Sequence, residues 1–271
     1  VFGEVHYATG FLAFQNAGNA TAAAQDFSAG VAAYRRLVRD RPEAVAWRFR
    51  LAVLLGQGLA PAHQHAGRLE DAWEANGEAL DILEILASGD PENHRYAHGL
   101  GWEWLRRGHL AQDRQDLDRA VRAYERSAAV QHDLIARTDV TTSAWLDGLA
   151  TAYQALADIQ SQRGDLPAAL DAAERALDTR RRIPRPDAEH RFYSTQLAVV
   201  EVLVGEARHQ AGDLGSARRA VASATETLDR LDAETLDEPM LQVLYVDAVE
   251  RLGVLRQAIE STPSRSAASS R

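Results

Sequence analysis

The stretch GDLPAALDAAERAL, Gly164 to Leu177, returns 48 residues later as GDLGSARRAVASAT, Gly212 to Thr225. The same Leu-x-x-Ala step occurs at Leu69 and Ala72, Leu117 and Ala120, Leu166 and Ala169, and Leu214 and Ala217, with leucine spacings of 48, 49 and 48. Ala24 lies another 48 residues before Ala72. A second marker keeps the same register. Trp47, Tyr96, Trp145 and Tyr193 each precede a leucine by four positions, at steps of 49, 49 and 48. Self-similarity at one fixed period is the signature of a repeat architecture, in which each unit buries its apolar face on its neighbours.

Within a unit the period is helical. Leu214, Ala217, Val221, Ala224, Leu228 and Leu231 alternate steps of three and four, which draws one apolar stripe along an α-helix. Leu69, Ala72, Asn76, Ala79, Leu83 and Leu86 draw the same stripe with one polar interruption. Another helical segment precedes each stripe, such as Trp145 to Gln162. The Gly-Asp between them has a physical reason. Gly164 supplies the left-handed residue that closes one helix, and Asp165 caps the free amides of the next. Pro167 fits the first turn, where no amide hydrogen is needed. Gly212-Asp213 repeats the device; Gly67-Arg68 keeps only the glycine and Gln115-Asp116 only the aspartate. The recurring alanine, from Ala24 to Ala217, permits two helices to cross closely.

Composition agrees and excludes much. The chain of 271 residues is 46% hydrophobic and 25% charged, as expected of a globular all-α protein. With no cysteine, disulfides and thiolate metal sites are excluded. All 30 basic residues are arginine, so Schiff-base chemistry and a phosphate-loop lysine are excluded too. Arginine over lysine with abundant alanine points to a GC-rich, bacterial source. A net charge of −9 argues against nucleic acid as a partner. No apolar run approaches 18 residues and no signal peptide is visible, so the expectation is a cytoplasmic protein with no membrane partner. The first residue is Val1, so a preceding segment of a longer protein is expected.

Tyr153, Leu156, Ala157, Ala169, Ala173 and Ala176 fall at the signature spacings of tetratricopeptide repeats, as do Trp104, Gly108, Ala120 and Tyr124. The chain resembles that family in its long-helix bacterial form, with units of about 48 rather than the usual 34 residues. The resemblance implies a right-handed α-solenoid of antiparallel helix pairs, about five repeats and a capping helix. The expected repeats are 1–41, 42–90, 91–138, 139–185 and 186–232, followed by a cap at 235–260. The serine-rich residues 261–271 have too little apolar area to order and are expected to form a disordered tail.

In the resembled family the first helix of each unit lines an inner groove. Those positions carry over to Gln64, His65, His109, Gln112, Asp113, Gln154, Asp158, Gln162, Glu206 and His209, with Gln57, Leu105, Ser161 and Gln210 in the wider set. The set suits hydrogen bonding to an extended segment or a helix of a protein or peptide partner. It lacks the Lys, Arg and Asn with which related chaperone-binding domains hold a terminal carboxylate. Other patterns have plainer readings. His94 and His98 stand four apart without a carboxylate and read as solvated histidines. Glu174 and Asp178 read as surface charges paired along their own helix. Arg180 to Pro186 reads as a basic helix end followed by a linker, and the recurring aromatics as core. No catalytic set, metal site or cofactor is expected. The leading expectation is a non-enzymatic interaction scaffold or sensor domain within a larger bacterial signalling protein. The alternatives are a ligand- or peptide-sensing domain of a transcription regulator, and an α-solenoid enzyme with its site in the groove.

Overall fold

A computed structural model of the chain describes residues 20–138, 141–183, 190–231 and 239–262. Their secondary structure is helical throughout, with no strand among the described residues. Residues 1–140 and 141–271 form two compact units. The first unit contains α1 (Ala20–Asp40), α2 (Val45–Val53), a π-helical stretch (Leu54–Leu59), α3 (Ala60–His65), α4 (Leu69–Gly89), α5 (His94–Asp113) and α6 (Leu117–Ala136). The second contains α7 (Ser143–Gln162), α8 (Leu166–Arg181), α9 (His190–Gln210), α10 (Leu214–Asp229) and α11 (Pro239–Ser261). In each, a first helix turns back on a second, as in α5/α6, α7/α8 and α9/α10.

The turns use the chemistry the sequence prescribes. Gly67, Gly164 and Gly212 take φ of 73°, 77° and 80°. At Gly164 the amide of Asp165 bonds to the Gln160 carbonyl at 2.9 Å and that of Gly164 to the Ser161 carbonyl at 3.0 Å, a Schellman closure. The Asp116, Asp165 and Asp213 carboxylates then accept from the amides of Arg119, Ala168 and Ser216. Gln115 takes the glycine's place with φ of 60°, and Arg68 gives α4 no side-chain cap.

Ala24, Ala72, Ala120, Ala169 and Ala217 are all buried, as close crossings require. In the first unit Phe27, Val31 and Tyr34 of α1 pack on Leu51, Leu54, Leu55 and Leu59 and on Ala75 and Ala79 of α4. In the second, Ala198, Val199 and Val202 of α9 meet Ala224 and Leu228 of α10 and Ala248 and Leu252 of α11. Each fully buried leucine or valine contributes about 1.5–3 kcal/mol.

Several local expectations need revision. Of the recurring aromatics only Tyr96 is buried; Trp47, Trp145 and Tyr193 are half-buried, their rings at the margin of the core. Glu174 pairs with Arg208 on α9 rather than along its own helix. Arg180 is buried, not part of a solvated basic end, because Asp147 and the Thr151 hydroxyl of α7 receive its guanidinium. His98 is not simply solvated: its Nε2 accepts from the Trp102 indole at 3.2 Å. Ser261 ends α11, and Thr262 donates to the Ala258 carbonyl at 2.7 Å. The rest of the expected tail, 263–271, and the expected first helix before Ala20 lie outside the described residues.

Candidate functional site

In the first unit the expected groove positions come from α3 and α5. Gln64 lies in the last turn of α3 and Asp113 closes α5, and the Gln64 amide donates to the Asp113 carboxylate at 2.6 Å. His65, the next residue, is exposed. His109 and Gln112 are joined through Tyr124 of α6. Its hydroxyl donates to Gln112 Oε1 at 3.0 Å and lies 2.9 Å from His109 Nδ1. With its one proton given to Gln112, the hydroxyl oxygen accepts from the Nδ1–H tautomer of His109. Tyr124 reaches this place because Gly108 has no side chain; a Cβ there would collide with the phenol ring. Desolvation of the ring against its neighbours, with Arg106 nearby, lowers the His109 pKa, and Asp113 opposes the shift. Leu105, also expected on this face, is instead buried in the core.

In the second unit the positions lie on α7 and α9. Gln154 and Asp158 are half-buried on α7, and Gln162 is exposed at its end. The Ser161 hydroxyl donates to Gln210 Oε1 at 3.2 Å. Glu206 is held by Arg251 of α11, whose Nε and Nη2 donate to its two oxygens at 3.1 and 2.5 Å. His209 Nε2 lies 3.2 Å from the Thr262 hydroxyl. Burial pushes the Asp158 carboxyl up to about 6; Arg251 opposes the shift, and Glu206 and Asp247 add to it. The Gln154 Oε1 is buried and has no hydrogen-bond partner among the described residues. Thus α11 engages Glu206, and Thr262 just past its end engages His209, both of which the sequence placed in an open groove. Arg251 carried no repeat signal and was missed.

The first unit also holds a cavity of about 140 Å³ lined by Phe49, Gln57, Arg95, His98 and Glu103 among others. Glu103 is buried, accepts from Asn76 Nδ2 at 3.0 Å and lies 3.6 Å from Arg106 Nε. Burial raises its pKa against the opposing influence of Arg106 and Asn76. Beside it Arg107 stacks 3.3 Å over Trp73 and donates to the Trp73 carbonyl at 2.7 Å. Burial brings the Arg107 pKa down to about 10. Glu103 was missed too, because no repeat marks it: two repeat steps later stands Val200 rather than a carboxylate. Among the described residues no group of three or more His, Asp or Glu is arranged to hold a metal ion.

No family model and no curated protein sequence matches the chain. Solved structures do. BtubC (BKLC) from P. vanneervenii is similar at 17% identity and a TM-score of 0.54, over 88% of this chain and 94% of its own. A putative kinesin light chain with nearly identical TPR-like repeats from Podosopora anserina is similar at 20% identity and a TM-score of 0.53, over 87% of this chain and 97% of its own. At such identities the likeness speaks for architecture. With the helix pairs in their 48- to 49-residue register, it makes this chain an all-α protein of the tetratricopeptide-like α-solenoid fold.

Proposed function

We propose that the chain is a protein–protein interaction scaffold. It holds a peptide or protein segment on the polar face of its first helices and works in the cytoplasm within a larger bacterial signalling protein. The observation that carries this reading is that, within each unit, side chains link one first helix to the next. Gln64 reaches Asp113 and Ser161 reaches Gln210, and both pairs are 49 residues apart. The linked ends are half-buried or exposed, so a partner backbone meets amides and carboxylates whose rotamers are already fixed. That lowers the ordering cost of binding. His109, held by Tyr124, adds a fixed imidazole to the set in the first unit.

A partner is first captured by affinity purification from the source organism and its affinity then measured. Gln112→Ala with Asp113→Ala in the first unit, or Gln154→Ala with Gln162→Ala in the second, should weaken binding at least tenfold. Desolvated groups left unpaired cost about 1–3 kcal/mol each. Arg122→Ala with Glu125→Ala on the second helix α6 should leave it unchanged. Parental affinity in both first-helix variants would sink this reading.

A further inference from the structure

The last helix occupies a familiar place in the register. First helices begin at Val45, His94, Ser143 and His190, and α11 begins at Pro239, 49 residues after the last of these. Second helices begin at Leu69, Leu117, Leu166 and Leu214. The next would start near 263, where the sequence reads PSRSAASSR, without a leucine, valine or aromatic residue for an apolar stripe. So α11 stands at a first-helix position of the register, and the sequence of 263–271 shows no apolar stripe like those of the second helices.

Its surface carries the matching deficit. Val243, Val246, Val249 and Val254 are 68%, 52%, 43% and 69% exposed. Forty-nine residues earlier stand Ser194, Leu197, Val200 and Gly205 of α9, and all four are buried. The helix α10 contributes to that burial. A Cβ on Gly205 would meet Leu255 Cδ2 of α11 at 2.7 Å and the Ala220 Cβ of α10 at 3.4 Å, so the two helices share that burial. Between them, Glu201 accepts from the Ser223 and Thr227 hydroxyls of α10 at 2.5 and 2.8 Å; its counterpart on α11 is the exposed Glu250. Capping helices ordinarily turn a polar outer face to solvent, and this valine face departs from that rule. An open groove of about 540 Å³ runs between α10 and α11, over Val221, Ala222 and Thr225. Its charges are Arg218, Arg230, Arg256, Glu226 and Asp229. Arg230 is paired with Glu226, and Arg256 donates only to the Thr225 hydroxyl. Arg218 and Arg256 therefore face the groove without a carboxylate partner among the described residues.

We propose that this groove and the adjoining valine face form a docking seat for an amphipathic α-helix of a partner protein. That helix is apolar along one face and acidic along its flank, and it completes a sixth pair from outside. The apolar stripe covers Val246 and Val254, and the flanking carboxylates pair with Arg218 and Arg256. The seat is separate from the polar face of the first helices and does not depend on it.

The probe is a fluorescently labelled peptide with the sequence of α4, Leu69 to Gly89. It is a second helix by register, with six carboxylates and no basic residue. Titrated with the full chain, it should bind saturably. Val246→Asp with Val254→Asp, and separately Arg218→Glu with Arg256→Glu, should each weaken binding at least tenfold while leaving the far-ultraviolet circular dichroism unchanged. The Gln112, Asp113, Gln154 and Gln162 variants should bind the peptide like the parent, which separates this test from the previous one. No saturable binding, or equal binding by the valine variant, overturns the proposal. So does a dimer of the unliganded chain, seen by sedimentation, that the valine substitutions abolish: the seat would then belong to a second copy.

Discussion

Asp158 is the residue whose titration reports most on its surroundings. Its carboxyl is raised from 3.8 to about 6, chiefly by burial, with the Arg251–Glu206 pair beside it. A raised carboxyl favours the folded state while protonated. Its stabilising contribution is full below the ordinary carboxylate value near 4 and lost as pH rises through about 6. Asp158→Asn removes the titration but keeps the shape. It should stabilise the protein by about 2 kcal/mol at pH 7.5, with the gain shrinking between pH 6 and pH 4 and vanishing below. Melting temperatures of parent and variant at pH 7.5 and pH 4 check this; equal shifts at both values would mean the carboxyl is not desolvated. Sequence alone gave Asp158 a position in the register and no hint of its environment. The arginine that meets Glu206 comes from α11, where the repeat signal fades.

At the scale of the element, the turns were legible because each needs one residue type at one place. Glycine at Gly67, Gly164 and Gly212 answers a left-handed backbone, and aspartate answers free amides. The fourth turn tests that account. Gln115 adopts φ of 60°, where a side chain costs about 1–2 kcal/mol. Gln115→Gly should relieve this, offset in part by a more flexible unfolded chain, for a net gain of about 0.5–1 kcal/mol. The urea midpoint should rise with an unchanged m-value; a fall would show that the Gln115 side chain contributes more than its backbone costs. What the elements hid was their buried polar content. Arg180 looked like a basic helix end, yet Asp147 lies on a helix one turn of chain earlier in the pair and draws it inward. Local patterns do not announce a partner 33 residues away.

For the whole molecule, periodicity was the strongest guide, because two independent markers in one register leave few architectures open. It fixed the pairing of helices better than it identified a site. Groove positions follow from register alone, but Leu105 is core and Glu206 is already paired, since each depends on what the neighbouring helix offers. The two compact units also carry a prediction about modularity. Residues 141–271 have an apolar core that closes among α9, α10 and α11 and a complete α7/α8 pair. Expressed alone, this segment should be helical by circular dichroism and melt cooperatively, as neighbour-coupled repeats do. A non-cooperative melt would show that its stability depends on residues 1–140.

The π-helical stretch at Leu54–Leu59 has a consequence for how such a chain changes over time. The run from Val45 to His65 is one residue longer than the 20 of α5, and the wider winding absorbs the surplus while the turn at Gly67 stays in register. Neighbours fill the room beside its two glycines: a Cβ at Gly56 would strike the Glu103 carboxylate, and one at Gly58 the Phe27 ring. Deleting a residue such as Gln57 would tidy the spacing on paper and evict both side chains. A chain that changes here must change its packing together with its length.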